Sequence, residues 1–157
     1  MPHFDTSRRV RHTPTEMFDL VADVEKYPDF LPLCERLKVR GRNDLGDGRE
    51  VLVADMTVGY KMFRETFTSR VTLAPEERVI RVEYLDGPFD HLDNRWSFVP
   101  EADGSTTVRF VIDYAFKNRV LAALMGAVFD RAVQKYSEAF EQRADTIYGR
   151  PGSVASA

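Results

Sequence analysis

The chain has 157 residues, enough to bury one real core, and its 43% hydrophobic and 30% charged residues are ordinary for a soluble protein. The formal net charge of −3 gives no general affinity for nucleic acid, and the single cysteine, Cys34, excludes an intrachain disulfide and fits a reducing compartment. No signal peptide or transmembrane segment is expected, so we predict a cytoplasmic protein.

The first elements are a strand and two short helices. Alternation over 4–12 predicts a strand. Thr13 and Glu16 have the spacing of a capping box, with Pro14 at the first helical position, so a short helix starts here and ends before Tyr27 and Pro28. The segment 28–32 is predicted to form a second helical turn.

The middle of the chain has a period of two, which is typical of strands. Turn-forming residues such as Gly46, Gly48, Gly87 and Gly104 separate the apolar runs, so short connections should give an antiparallel meander. Together with the flanking helices this predicts an α+β fold, a curved antiparallel sheet of about seven strands. The six further strands are placed near 35–43, 50–58, 61–74, 78–86, 93–100 and 106–116.

The last segment, 118–148, has apolar residues at steps of three and four and predicts one long helix laid across the sheet. Asn118 is its expected N-cap, and Gly149 its stop. Its first half, Val120–Phe129, is apolar on every side, so it must be covered on every side. The cover could be other parts of this protein, a ligand or a membrane. Ten residues are too few to span a bilayer, which takes about 20.

Aromatic side chains accumulate on the strand faces that should meet this helix. Such stripes fit either a plain packed core or an apolar ligand cavity. For the cavity, the predicted lining residues are Phe63, Phe67, Tyr84, Trp96, Phe98, Phe110, Tyr114, Leu121, Met125 and Phe129. Apolar residues in loops are the predicted mouth of the cavity, where the protein would touch a membrane transiently: Tyr27, Phe30, Leu31 and Phe89.

Basic residues occur at every second position of one predicted strand, at Arg36, Lys38, Arg40 and Arg42, and should share one face. The stripe fits a solvated, charge-protected edge strand. The functional alternatives are a surface for anionic lipid headgroups or for RNA phosphate, the latter as a ribosome contact.

No set of residues predicts catalysis. The three histidines have no metal-ligand spacing with one another or with Cys34, and no phosphate-binding glycine loop or nucleophile motif is present. No basic partner for Cys34 can be named, so an inert thiol is favoured over a nucleophile. We therefore expect a protein that is not an enzyme and that has no catalytic residue, metal or cofactor.

Four stretches, followed by the long helix, resemble the START-like domains of the coenzyme Q-binding protein and bacterial ribosome association toxin (RatA) group, also described as polyketide cyclase-like. The stretches are VADVEKYPDFLPLC (Val21 to Cys34), FTSRV (Phe67 to Val71), DGPFDHLDNRWSFVP (Asp86 to Pro100) and VRFVIDYAFKN (Val108 to Asn118). The resemblance implies a helix-grip (START/Bet v 1-like) fold, with an apolar cavity between the sheet and the long helix.

The resemblance also implies a function. It indicates non-enzymatic binding of ubiquinone or a related isoprenoid lipid, in support of respiration. A transient membrane contact at the mouth would place this cytoplasmic protein at the periphery of the inner face of the membrane. The alternatives are a RatA-like regulator of ribosomal subunit association and, third, a polyketide cyclase-like enzyme. We expect one domain over 1–149, with a monomer favoured, and a disordered tail over 150–157.

Overall fold

The computed structural model describes residues 3–149. These residues form one antiparallel sheet of seven strands, against which the helices pack. Its order is β1-β7-β6-β5-β4-β3-β2, a meander from β2 to β7 with β1 added beside β7. The α+β prediction and the number of strands are confirmed. The strands are β1 His3–Val10, β2 Cys34–Asp44, β3 Glu50–Tyr60, β4 Phe63–Ala74, β5 Val79–Asp86, β6 Phe89–Pro100 and β7 Thr106–Phe116.

Helices follow β1 and β7. The first, α1 (Pro14–Ala22), begins with the predicted capping box, in which the Glu16 N–H donates to Thr13 Oγ1 at 3.1 Å and the Thr13 N–H donates to Glu16 Oε1 at 2.9 Å. A 3-10 helix, Val24–Asp29, comes next, so two short helices do follow β1. Their predicted bounds are wrong, because α1 ends at Ala22 and the second helix begins four residues before the predicted segment 28–32. The C-terminal helices are α2, Arg119–Gln134, and α3, Tyr136–Tyr148.

The prediction of one uninterrupted helix over 118–148 is wrong at Lys135. This residue has φ −97° and ψ −1°, and its N–H is shared between the carbonyls of Ala132 and Val133. The shared hydrogen bond tightens one turn and separates α2 from α3. The break lets each helix pack against its own part of the curved sheet: Phe129 of α2 lies 4.9 Å from Tyr114, and Phe140 of α3 lies 5.0 Å from Trp96, between ring centroids.

A β-bulge in β2 corrects the prediction that four basic residues share one face. Arg36 and Lys38 pair with Thr57 and Asp55 of β3, but the register shifts between Val39 and Gly41. After the shift Arg42 pairs with the buried Leu52, so it lies on the opposite face. There Arg42 contacts Glu25 at 3.0 Å and Glu50 at 3.4 Å. The extra residue of a bulge reverses the alternation of side chains, which no periodicity reveals in advance.

The core lies between the concave face of the sheet and the three α-helices. At one side, Phe98 of β6 packs edge-on against Phe18 of α1, with ring centroids 5.7 Å apart. At the other, Phe89 at the start of β6 contacts Phe116 and Phe129 at 4.9 and 5.4 Å. The structure thus places α1 and α3 over one end of the sheet and α2 over the other.

The predicted disordered tail, 150–157, lies outside the described residues. Within residues 3–149, no helix has both the length and the apolar character needed to cross a bilayer.

Candidate ligand-binding site

An apolar cavity lies where the concave face of the sheet meets the 3-10 helix and the C-terminal helices. The space that the centre of a water molecule can occupy in it is about 80 Å³. Its lining residues come from six strands and four other segments: Val24, Tyr27, Leu31, Leu37, Ala54, Met56, Phe67, Ser69, Val71, Val82, Leu92, Asn94, Trp96, Ile112, Phe129, Tyr136 and Phe140. Leu37, Met56 and Val82 are half-buried, whereas Trp96 is only 3% exposed.

The lining contains almost no groups suited to acid–base chemistry. Among the described residues that line it there is no carboxylate, histidine, lysine or arginine. Two tyrosines are present, and burial raises the pKa of both Tyr27 and Tyr136. The hydroxyl of Tyr27 donates a 2.5 Å hydrogen bond to the carbonyl of Val21. Both phenols are therefore neutral at physiological pH and poor proton donors.

Three of the ten predicted lining residues, Phe67, Trp96 and Phe129, do line the cavity. Four more are on the predicted concave face but lie outside the lining: Tyr84, Phe98, Phe110 and Tyr114. The reason is that other elements cover them. Phe110 packs on Tyr136 at 6.2 Å, and the Tyr114 hydroxyl donates to the Asp130 carboxylate of α2.

The remaining three predicted lining residues also lie outside the cavity. Phe63 is at the very start of β4, beyond the cover of the helices, and is 40% exposed. Leu121 and Met125 belong to the first half of α2; Met125 is 2% exposed, and Leu121 is half-buried. They lie on a helix whose cavity contact is further along the chain, at Phe129.

The predicted mouth residues separate into two groups. Tyr27 and Leu31 line the cavity, although both are buried. Phe30 is half-buried on Phe140, with ring centroids 5.1 Å apart, and Phe89 is 1% exposed. Neither lines the cavity: the ring of Phe30 lies against Phe140, and the ring of Phe89 packs among other aromatic rings, those of Phe67, Phe116 and Phe129.

Alternation overlooked two polar residues of the lining, Ser69 and Asn94. Each lies two positions from a predicted lining residue, Ser69 after Phe67 and Asn94 before Trp96, and so shares its face. They are 5% and 8% exposed. A polar residue at an inward-facing strand position was the signal that could have identified them, since such groups are buried only at a cost.

Large exposed apolar side chains gather at one end of the sheet, which we call the apolar end. The β3–β4 turn, the β5–β6 turn and the β7–α2 connection all lie there, because hairpin turns alternate between the two ends of a meander. Met62 is 92% and Val120 67% exposed. The apolar end consists of Tyr60, Met62, Phe63, Leu85, Val120 and Leu124.

Comparison with known proteins decides the family. The family model described as polyketide cyclase / dehydrase and lipid transport matches residues 10–141, most of the chain. The chain belongs to this family. The resemblance read from its four stretches is thereby confirmed.

Two curated relatives have different names. The ribosome association toxin RatA of Rickettsia prowazekii is 29% identical over 94% of this chain and 99% of its own. The coenzyme Q-binding protein COQ10 homolog B, mitochondrial, of Xenopus laevis is 34% identical over 86% of this chain but only 54% of its own length. One relative is thus named for association with ribosomes and the other for binding coenzyme Q.

A solved structure confirms the helix-grip fold. The Zhui aromatase/cyclase from Streptomyces sp. R1128 has a TM-score of 0.78, covering 98% of this chain and 99% of its own, at 21% identity. At this identity the likeness shows the fold alone, because one fold can serve unrelated functions.

Proposed function

We propose that the protein binds ubiquinone or a related isoprenoid lipid in the cavity without chemical change, in support of respiratory electron transport. The observation that carries the proposal is an apolar, aromatic-lined cavity with two uncharged polar residues and no acid or base among its described lining residues. An isoprenoid tail gains about 25 cal/mol for each Å² of apolar surface removed from water, and the head needs only a few hydrogen bonds.

The same observation argues against a cyclase-like enzyme. Cyclisation of a polyketide requires proton transfers, and a general acid or base works best with a pKa near the operating pH. Burial moves the pKa of Tyr27 and Tyr136 upward, away from that range. Cys34 is not in the lining, and burial raises its pKa to about 12. No catalytic residue, metal or cofactor is therefore part of the proposal.

Binding must widen the cavity. Pockets for small molecules typically occupy about 300–1,000 Å³, whereas the space here is about 80 Å³. The side chains best placed to move are Leu37 and Met56, which line the cavity, are half-buried and lie on the two strands nearest the β2 edge. Methionine adapts readily because its unbranched chain has several rotatable bonds.

The apolar end is the proposed site of a transient membrane contact. Its exposed Met62 and Val120 can enter the headgroup region, and the exposed cations Lys61, Lys117 and Arg119 lie beside them. None of these three cations forms an ion pair within residues 3–149, and Lys61 Nζ lies 5.2 Å from the centroid of the Tyr60 ring. With no carboxylate beside them, all three can meet anionic lipid. In this proposal the protein is a cytoplasmic monomer, peripheral on the inner face of the membrane.

Fluorescence of Trp96, the single tryptophan, tests the proposal because this residue lines the cavity. Titration with a short-tailed ubiquinone should quench the emission in a saturable manner with one site per chain. A short-tailed alkylbenzene without oxygens is the control for non-specific uptake. Quenching that rises linearly without saturation would contradict quinone binding.

A second function, association with ribosomal subunits, is favoured by one observation. Arg36 and Lys38 are exposed on the edge strand β2 and form no ion pair within the part of the chain that the structure describes. Arg40, in contrast, lies 2.7 Å from Asp55, and Arg42 is paired with Glu25. Unpaired cations on an accessible edge can meet RNA phosphate.

Cosedimentation with ribosomal subunits at low salt distinguishes this function. The double variant Arg36→Gln/Lys38→Gln should lose association, whereas Arg40→Gln/Arg42→Gln, with the same charge change, should lose less. Equal losses in the two variants would show only a general charge effect, and no association of the unmodified protein would exclude the function.

A further inference from the structure

The hydroxyl of Ser69 is an unpaired polar group against the cavity. Ser69 lies on the concave face of β4, a central strand, and is 5% exposed. Its Oγ has no hydrogen-bond partner within residues 3–149 and is closed off from solvent. A buried hydroxyl without a partner destabilises a fold. An incoming oxygen on a ligand would supply the missing hydrogen bond.

The side-chain amide of Asn94 is a second group with unused capacity. Asn94 lies on β6, is 8% exposed and lines the same cavity. Its Nδ2 donates one hydrogen bond, of 2.9 Å, to the carbonyl of Val111. An asparagine amide has two N–H donors and an oxygen that accepts, so one donor and the acceptor are left over among the described residues.

The strand register sets the separation of the two groups. Ser69 pairs with Tyr84 of β5, and Val82, two residues before Tyr84, pairs with Asn94. Two strand spacings of about 4.8 Å and one two-residue step of about 7 Å therefore place their Cα atoms about 12 Å apart. A six-membered ring with oxygens on opposite sides, hydrogen-bonded at about 2.8 Å at each end, spans about 11 Å between the two bonded side-chain atoms. This span is comparable with the Cα separation because both side chains stand roughly perpendicular to the same face of the sheet.

We propose that Ser69 and Asn94 hold the two opposed ring oxygens of the bound head group, and that they do so equally for its oxidised and reduced forms. This rests on the proposed quinone-binding function. The carbonyl oxygens of a quinone accept hydrogen bonds, and the hydroxyls of a quinol donate them. A serine hydroxyl and a primary amide can each both donate and accept.

The residues around Ser69 and Asn94 also favour equal affinity for the oxidised and the reduced head group. A charged group beside the ring would favour one form, but the described lining residues include no carboxylate, ammonium, guanidinium or imidazole. The two tyrosines of the lining, Tyr27 and Tyr136, are held neutral by burial. The protein would accordingly carry quinone or quinol without exchanging a proton with either.

Calorimetric titration of the full chain with a short-tailed ubiquinone, and separately with its reduced quinol, tests the proposal. Ser69→Ala should weaken binding of both forms about three- to tenfold, the expected effect of one lost hydrogen bond. Its thermal midpoint should stay the same or rise, because an unpaired buried hydroxyl is removed. Asn94→Leu should weaken binding of both forms as well.

Ser137→Ala is the matched control, because Ser137 also has a buried, unpaired Oγ but does not line the cavity. It should leave both affinities unchanged. The inference would be overturned, and the proposed function left standing, by either of two results. One is unaltered quinone binding by Ser69→Ala, and the other is a preference of the unmodified protein for one redox form by more than about tenfold, which is about 1.4 kcal/mol. Absence of any quinone binding by the unmodified protein would overturn the proposed function and this inference together.

Discussion

At the scale of single residues, the burial of Phe89 distinguishes a residue of the closed core from a residue of the cavity mouth. Its ring contacts Phe67, Tyr84 and Phe116 at centroid distances of 5.3, 5.7 and 4.9 Å, and it is 1% exposed. We predict that Phe89→Ala lowers the free energy of unfolding by about 3–5 kcal/mol. Chemical denaturation measures the change.

Phe63→Ala is the control for this prediction, since Phe63 is 40% exposed on the neighbouring hairpin. It should cost no more than about 0.5 kcal/mol. A similarly small cost for Phe89→Ala would restore the interpretation of Phe89 as part of a mobile mouth.

Cys34 carries a prediction about pH. Burial raises the pKa of its thiol to about 12, from a usual value near 9. A group whose pKa is higher in the folded state stabilises the fold fully below its unfolded pKa. That stabilisation is lost as the pH rises from about 9 to 12. At pH 8 we expect slow reaction with a thiol reagent in the native protein and fast reaction in denaturant, followed by absorbance. Equal rates in the two states would contradict the burial.

Single residues also show which parts of the cavity lining can be predicted from the sequence. Alternation placed Phe67, Trp96 and Tyr114 on the same face, and the structure confirms that face. It could not distinguish Trp96, which lines the cavity, from Tyr114, because the difference depends on the Asp130 carboxylate of α2 lying over the Tyr114 hydroxyl. Contacts between elements distant in sequence leave no periodic pattern.

At the scale of elements, the β5–β6 turn links backbone geometry to the cavity. Gly87 has φ 142°, and a Cβ added there would lie 2.6 Å from Cβ of Phe67, a lining residue. We predict that Gly87→Ala costs about 2–3 kcal/mol and displaces Phe67, because both the backbone and the neighbouring side chain resist it. Unfolding midpoints and quinone affinity measure the two effects.

Gly46→Ala provides the comparison for this turn. Gly46 also has a positive φ, 83°, but nothing lies within 4 Å of an added Cβ. It should cost about 1–2 kcal/mol, the strain of a left-handed residue alone, and leave quinone affinity unchanged. If the two variants lost the same stability, the close packing of Gly87 on Phe67 would not matter.

The elements themselves were largely predictable, and the exceptions have a common cause. The caps at Thr13 and Asn118 depend only on neighbouring residues, as do the turns between apolar runs, so the sequence alone predicts them. The break at Lys135 and the bulge between Val39 and Gly41 do not, because each is a response of one element to the curvature of another. Curvature arises only when the whole sheet forms.

At the scale of the whole molecule, the exposed apolar residues are unequally divided between the two ends of the sheet. We predict that Met62→Asn/Val120→Asn, at the apolar end, reduces sedimentation with anionic vesicles several-fold without lowering the unfolding midpoint. Both side chains are more than half exposed, so neither supports the core. The loss should be smaller for Leu45→Asn/Val99→Asn, which changes exposed apolar residues at the opposite end. An equal loss for both pairs would leave the apolar end without a special role.

Native mass spectrometry of the purified protein with its bound lipid tests most directly whether the cavity binds a quinone. We expect one ubiquinone or related isoprenoid lipid per chain. Ala54→Phe, which adds a ring inside the cavity, should lose it, and Ala127→Phe on the exposed surface of α2 should retain it. Quinone binding would be excluded if the protein carried no such lipid from a ubiquinone-containing host and took up none when it was added. Binding in this cavity would be excluded if Ala54→Phe bound as much lipid as the unmodified chain.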